Sequence, residues 1–281
     1  MTTINQNING NYLVTILSDG TKIRKTNQKA FIPSFPESID LKITDKCKRN
    51  CPWCHEASSV TGKHASPKFI YSYLKDLPPG VELAIGGGDV FEHPKFNEII
   101  TSLNNMGFIC NTTVSLESFE RYEVPLEVHG IGISHDKKVE TNNPNVVNHV
   151  IAGFITFTSI IDLLKAGEKV LILGYKIFGR GKEYYNDTIR KNIRELNTNL
   201  NLVLETNSGT LSFDNLAITQ LNLQKHLTNE EWDKFYMGDD GQYTMYVDAV
   251  NQKYGKSSTS NRVATATIIS DFKKLTKGNQ Y

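Results

Sequence analysis

The chain has 281 residues, 39% hydrophobic and 22% charged, so it can bury the core of one large α/β domain or of one domain with small appendages. Thirty-one basic and thirty acidic residues leave a net charge of +1. A dedicated nucleic-acid binder would need a basic excess or stripe, so nucleic acid is disfavoured as a partner. The polar N-terminus lacks the apolar core of a signal peptide, and no apolar run reaches the roughly 20 residues that span a bilayer. We therefore expect a cytoplasmic protein without membrane contact.

The first predicted elements are strands. A β-hairpin is expected over residues 12–26, because apolar residues flank the turn formed by Ser18, Asp19 and Gly20. Residues 39–44 then alternate apolar with polar side chains and predict a strand. Helices are predicted from Ser66 and Pro67 to Leu77 and from Pro94 to Met106, where apolar residues recur at helical spacing.

Further strands alternate with helical segments along the rest of the chain. The predicted strands are residues 81–85, 108–115, 128–134, 149–156, 169–175 and 210–221, and the later helices are 160–166 and 187–196. An antiparallel hairpin is expected over residues 243–254, followed by an amphipathic stretch over 265–275. The alternation predicts an α/β fold, a partial (β/α)6 barrel of parallel strands, with chemistry at the C-terminal strand ends. We expect an N-terminal hairpin and linker (1–37), the barrel (38–221) and a C-terminal hairpin and helix extension (222–281).

Three of the four cysteines lie within eight residues, directly after the strand predicted over 39–44. Cys47, Cys51 and Cys54 have the spacing C-x3-C-x2-C. Three thiolates on one tight loop can hold three corners of a [4Fe–4S] cluster and leave one iron without a protein ligand. That iron can chelate the amino and carboxylate groups of S-adenosylmethionine (SAM), and the reduced cluster can then cleave SAM into methionine and a 5′-deoxyadenosyl radical.

Three other interpretations compete for these cysteines. Cys51 and Cys54 alone match a thioredoxin-type redox pair, and with His55 they match a c-type haem attachment signature. The three cysteines plus His55 could instead hold zinc. The redox pair leaves Cys47 unexplained, haem attachment needs an export signal, and binding one zinc ion through the adjacent Cys54 and His55 is strained. The iron–sulfur interpretation is favoured.

The sequence resembles the radical SAM superfamily in this segment. The family has C-x3-C-x2-C after the first barrel strand, with an aromatic residue before the last cysteine, and Trp53 occupies that place here. The resemblance implies that Trp53 lies near the adenine of SAM. A second similarity is Gly86-Gly87-Gly88-Asp89 after the next strand, where the family has Gly-Gly-Glu. It implies that Gly87 and Gly88 bring backbone carbonyls to the SAM ammonium group, and that Asp89 adds a carboxylate.

Weaker candidates lie near the ends of later strands. The resemblance implies that Ser115, Ser134 and Lys176 meet the ribose or carboxylate of SAM, and that Gly153 allows close approach to adenine or eases packing. The basic segment 174–182 could clamp an anion or be solvated loop charge. His135 and Asp136 could serve acid–base chemistry or form an exposed turn. His55 and Glu56 adjoin the cysteines and could tune the cluster or face the substrate. No catalytic residue is assigned beyond the cofactor-binding set.

Only Cys110 lies outside the motif, so we expect a small single-cluster enzyme without an auxiliary-cluster domain. The resemblance implies two cofactors, a [4Fe–4S] cluster and SAM. It also implies hydrogen abstraction from a small-molecule or peptide substrate, with an electron donor such as flavodoxin or ferredoxin. The alternative hypothesis is a non-catalytic interaction module in which zinc or an Fe–S cluster organises the loop and SAM does not bind.

Overall fold

The computed structural model describes residues 1–134, 145–206 and 208–277. Its strands are β1 (Thr3–Asn9), β2 (Tyr12–Leu17), β3 (Lys22–Lys25), β4 (Ser38–Thr44), β5 (Glu82–Gly87), β6 (Ile109–Ser115), β7 (Val128–Ser134), β8 (Val146–Ile151), β9 (Lys169–Leu173), β10 (Thr210–Phe213), β11 (Thr244–Asp248), β12 (Lys253–Gly255) and β13 (Val263–Ala264). Its α-helices are α1 (Pro67–Leu74), α2 (Phe96–Asn105), α3 (Leu116–Arg121), α4 (Phe157–Lys165), α5 (Arg180–Tyr184), α6 (Asp187–Thr198), α7 (Leu200–Leu204), α8 (Asn215–Gln220), α9 (Asn229–Phe235) and α10 (Ile268–Lys277). Short 3-10 helices cover Val90–Glu92 and Leu223–His226.

The main sheet has the order β10-β9-β8-β7-β6-β5-β4-β11-β12-β13. Every pairing from β10 to β11 is parallel, whereas β12 and β13 are antiparallel. The predicted fold class, an α/β partial barrel with terminal hairpins, is confirmed. Two parallel strands, β10 and β11, extend the sheet beyond the six expected units. Among the described helices, none is both long and apolar enough to cross a membrane.

The two faces of β4 differ in chemistry because alternate residues of a strand point to opposite sides. Ile39, Leu41 and Ile43 belong to the buried core that the sheet forms with α1 and α2. Asp40 and Lys42 point to the concave inner face. Asp40 is exposed to solvent, yet protein surrounds it so closely that desolvation raises the pKa of its carboxyl to about 6. Charged groups on this face distinguish it from the packed interior of a closed (β/α)8 barrel and leave it suited to a ligand.

The N-terminal strands form a separate antiparallel sheet in the order β1-β2-β3. The predicted hairpin is present as β2 and β3, and β1 adds a strand that the polar sequence TINQNIN did not indicate. Tyr12 packs edge-on against Tyr243, the residue before β11, with ring centroids 6.2 Å apart. Arg24 forms two hydrogen bonds with the buried carboxylate of Glu37, at 2.7 and 3.0 Å. These contacts fix the small sheet against the base of β4 and β11.

Two of the predicted strands have the wrong bounds. The strand predicted over 210–221 ends at Phe213, because Asp214 accepts a hydrogen bond from the backbone of Ala217 and begins α8. The strand predicted over 149–156 is observed as Val146–Ile151, because Thr156 is the N-cap of α4. The other predicted strands and the helices after Ser66, Pro94, residue 160 and residue 187 are confirmed, with small shifts at their ends. The hairpin predicted over 243–254 is also present, and its first strand pairs in parallel with β4.

Candidate functional site

The cysteine loop, residues 46–56, follows β4 at the C-terminal edge of the sheet. Cys47, Cys51 and Cys54 are half-buried and form no disulfide. Burial raises the pKa of the Cys47 thiol, and the nearby charges of Asp89 and Cys51 act in the same direction. Within the described residues, no three His, Cys, Asp or Glu side chains are already arranged around a single metal-ion position. The loop therefore presents three free thiols.

Arg180 at the start of α5 holds the backbone of the cysteine loop. Its Nε donates a hydrogen bond to the carbonyl of Cys51 at 2.9 Å, and one terminal nitrogen donates to the carbonyl of Ser58 at 3.0 Å. Its backbone N–H donates to the carbonyl of Cys54 at 3.1 Å. The residue before it, Gly179, has φ +51°, and a Cβ there would lie 2.5 Å from the carbonyl oxygen of His55. Gly179 and Arg180, from the basic segment 174–182, therefore contact the cysteine loop itself. No local sequence pattern indicated this role.

The glycine–aspartate turn, Gly86–Asp89, packs directly against the cysteine loop. The N–H of Gly88 donates to the carbonyl of Thr44 at 2.7 Å, and the N–H of Asp89 donates to the carbonyl of Lys46 at 2.8 Å. Gly87 has φ +123°, which a residue with a side chain rarely adopts. The two sequence motifs, some 30 residues apart, are therefore joined by main-chain hydrogen bonds.

Asp89 is linked to Ser115 through Ser118. One carboxylate oxygen of Asp89 accepts a hydrogen bond from the N–H of Phe91, and the other accepts from the Ser118 hydroxyl at 2.6 Å. The Ser115 hydroxyl donates to Ser118 at 2.9 Å and caps α3. Ser134 lies beside Ser115 in the register of β6 and β7. Asp89, Ser115 and Ser134 therefore share one side of the barrel mouth, whereas His135 and Asp136 lie outside the described residues.

Gly88 offers a direct test of how closely these two loops must pack. A Cβ on Gly88 would lie 2.2 Å from the carbonyl oxygen of Lys46, whereas a Cβ on Gly86 would meet no atom within 4 Å. We expect Gly88→Ala to destabilise the chain by about 1–3 kcal/mol, as overpacking does. Chemical unfolding measures this effect, with Gly86→Ala as the matched control. Equal stability of the two variants would contradict the packing argument.

Trp53, within the cysteine loop, belongs to an aromatic cluster with Phe154 and Tyr184. Its ring lies 4.7 Å from that of Phe154 and 5.7 Å from that of Tyr184, centroid to centroid. The neighbouring Gly153 has φ +97°, and a Cβ there would lie 2.7 Å from a methyl carbon of Ile189 in α6. Of the two roles considered for Gly153, the structure supports close packing against a helix.

Lys176 lies across the barrel mouth from the glycine–aspartate turn. Its Nζ donates a hydrogen bond to the Ser258 hydroxyl at 2.9 Å. Its charge also lowers the pKa of the Asp40 carboxyl, against the larger effect of burial. The structure thus separates the predicted cofactor residues into two groups: Gly87, Gly88, Asp89, Ser115 and Ser134 on one side, and Trp53 and Lys176 towards the loop after β9.

Glu56 at the end of the cysteine loop is the centre of a buried ion network. Its side chain, 8% exposed, accepts hydrogen bonds from Lys42 at 2.8 Å, from Arg262 at 2.6 Å and from the Tyr246 hydroxyl at 2.9 Å. Asp248, 1% exposed, also contacts Lys42 and Arg262. Burial acts to raise the pKa of Glu56, but Lys42 and Arg262 lower it to about 2. The network fixes the end of the cysteine loop to β4, β11 and the segment before β13.

His55 is neutral at physiological pH. Burial, reinforced by the charge of Lys176, lowers the pKa of its imidazole to about 3. Its Nε2 lies 3.7 Å from a carboxylate oxygen of Glu56, so the ring is directed towards the ion network.

No family model matches the chain, and no curated protein sequence does. Solved structures of SuiB from Streptococcus suis match its fold. SuiB bound to S-adenosylmethionine aligns with a TM-score of 0.56 and 12% identity, over 89% of this chain and 68% of SuiB. SuiB bound to the precursor peptide SuiA aligns with a TM-score of 0.56 and 13% identity, over 89% and 67% of the two chains. The chain therefore shares the fold of a protein that has been solved with SAM.

Proposed function

We propose that this chain is a radical SAM enzyme that binds one [4Fe–4S] cluster through Cys47, Cys51 and Cys54. The three thiols suit this role because they lie on one loop, form no disulfide and remain half-exposed at the barrel mouth. When bound, such a cluster supplies the electron that cleaves SAM reductively, and hydrogen is then abstracted from the substrate.

The observation that carries the proposal is the contact between the cysteine loop and the glycine–aspartate turn. The N–H groups of Gly88 and Asp89 bond to the carbonyls of Thr44 and Lys46 at 2.7 and 2.8 Å. A turn of the kind that binds the SAM amino group in the family thus lies beside the loop that would hold the cluster. A zinc site that merely organised the loop would not require this arrangement.

The residues of the chain have separate roles in this proposal. Arg180 holds the loop carbonyls and so fixes the backbone from which the three thiols would reach the cluster. Asp89, oriented by Phe91 and Ser118, supplies negative charge towards the SAM ammonium group. Ser115 and Ser134 are proposed to meet the ribose, Trp53 the adenine and Lys176 the carboxylate of SAM. The half-buried loop limits the access of water to the site.

The proposed substrate is a peptide or a small molecule. A peptide is supported by the fold shared with SuiB, which has been solved bound to the precursor peptide SuiA. The polar inner face around the exposed Asp40 is proposed to receive either class. The electron is proposed to come from a small donor protein such as flavodoxin or ferredoxin.

Anaerobic reconstitution with iron and sulfide tests the function. We expect about four irons per chain, tight binding in a SAM titration, and formation of 5′-deoxyadenosine when a strong reductant is added. A chain that retains zinc, never incorporates iron and has no affinity for SAM would instead support the non-catalytic module.

A further inference from the structure

A polar cavity of about 450 Å³ opens on the C-terminal face beside the cysteine loop. His55, which directly follows Cys54, forms one wall, and Phe178 and Gly179 from the loop after β9 form another. The third wall is the segment of residues 257–262 before β13, here called the hydroxyl segment. The volume falls in the range that ligand pockets occupy.

The hydroxyl segment is built as a rigid wall of hydrogen-bonding groups. Ser258, Thr259, Ser260 and Asn261 line the cavity in succession. The Ser260 hydroxyl accepts a hydrogen bond from the N–H of Ser257 at 3.1 Å and donates to its carbonyl at 2.9 Å, so the segment folds on itself. Lys176, in the loop after β9, donates a hydrogen bond to the Ser258 hydroxyl. A short loop ordered in this way presents polar groups in fixed positions, as a binding site requires.

The charges in the cavity wall are of two kinds. Arg262 and Asp248 form an ion pair, at 2.9 Å, within the buried network that also includes Glu56, Lys42 and Asp45. In contrast, Lys253, the exposed first residue of β12, borders the cavity and forms no salt bridge with any residue of the described ranges. Positive charge in this cavity is therefore left without a contacting carboxylate, next to neutral hydrogen-bond donors.

We propose that this cavity binds a carboxylate of the substrate, such as the side chain of an acidic residue in a peptide. This inference rests on the proposed function for the identity of the substrate. Lys253 supplies the charge, and the Ser258 hydroxyl and the Asn261 side-chain amide supply further hydrogen bonds, which are stronger when the acceptor is ionised. Phe178, 49% exposed at the rim, packs against the adjoining apolar part of the ligand. Because His55 follows Cys54, the carboxylate would hold the substrate close to the cysteine loop.

The test compares two neutral-capped amino acids that differ only in charge. The probes are N-acetyl-glutamate N-methylamide and N-acetyl-glutamine N-methylamide, titrated calorimetrically into the reconstituted, SAM-loaded protein. We expect the glutamate probe to bind about tenfold more tightly, which is the discrimination that one charge-assisted contact provides. Lys253→Gln should abolish this preference. Lys95→Gln, which removes an exposed lysine paired with Glu98 on α2, should retain it.

Equal affinity of the wild-type protein for both probes, or no binding of either, would overturn the inference, as would an unchanged preference in Lys253→Gln. Lys253 is outside the proposed SAM-binding set, so 5′-deoxyadenosine formation is measured on the same samples. A protein that cleaves SAM without any preference for glutamate overturns only the cavity assignment. A protein that prefers glutamate but never cleaves SAM overturns only the proposed function.

Discussion

Replacing Cys51 with alanine is expected to abolish both cluster assembly and SAM cleavage. With two thiolates left on the loop, the proposed cluster would lose one of its three protein ligands, and a second iron would have no protein ligand. We expect the iron content after anaerobic reconstitution to fall from about four per chain to near background, and the visible absorbance of the cluster to disappear. Formation of 5′-deoxyadenosine should fall below detection, since positioning and binding groups alone cannot supply the electron.

Cys110 provides the matched control for this substitution. It is fully buried in the core that β6 shares with α1 and α2, and burial raises the pKa of its thiol to about 12. Cys110 therefore behaves as a small apolar side chain. Cys110→Ala should retain iron, absorbance and cleavage, with a loss of about 1 kcal/mol in the free energy of unfolding. A Cys51→Ala variant that assembled as much iron as Cys110→Ala would contradict the cluster assignment.

The sequence predicted those parts of the fold and site that depend on local patterns. The alternation over 39–44, the tight cysteine spacing and the glycine–aspartate turn are all short segments with a distinctive chemistry. Their mutual contact followed from topology, because the C-terminal ends of adjacent parallel strands meet at one edge of a sheet. The strand predicted over 210–221 is wrong beyond Phe213, because the side chain of Asp214 accepts a hydrogen bond from the N–H of Ala217 and caps α8.

The contacts that fix the cysteine loop could not be predicted. Arg180 meets the carbonyl of Cys51 across 129 residues of sequence, and Arg262 meets Glu56 across 206. A lone arginine in a loop is ordinarily solvated, and nothing in its neighbours reveals a partner so distant in the chain. Lys42 gave no signal either, because a lysine on a strand is usually at the surface. Long-range polar contacts of this kind arise from tertiary packing and produce no periodic pattern in the sequence.

The Glu56 network leads to the second prediction of large effect, a loss of stability in Glu56→Gln. The substitution preserves the shape of the side chain but removes one carboxylate, and Asp45 and Asp248 are then the partners left to Lys42 and Arg262. Removing one partner from a buried ion pair costs about 3–5 kcal/mol, and we expect the lower end of this range because other carboxylates stay in contact. Glu98→Gln is the matched control, because Glu98 pairs with Lys95 at the surface, where both side chains are more than half exposed. That control should cost no more than about 1 kcal/mol.

The difference in the free energy of unfolding between wild type and Glu56→Gln should depend on pH, because it arises from the charge of Glu56. The folded-state pKa of Glu56, about 2, lies below its ordinary value of 4.5, so the carboxylate contributes stability that is fully present above pH 4.5. This contribution, on the order of 3 kcal/mol, is lost as the pH falls from 4.5 towards 2. Chemical unfolding of the cluster-free chain should therefore show a constant gap between wild type and Glu56→Gln from pH 7 to about pH 5, and a narrowing gap below it. If the stability difference between the two proteins stayed constant at every pH, the loss would come from packing. The network would then not hold the cysteine loop through charge.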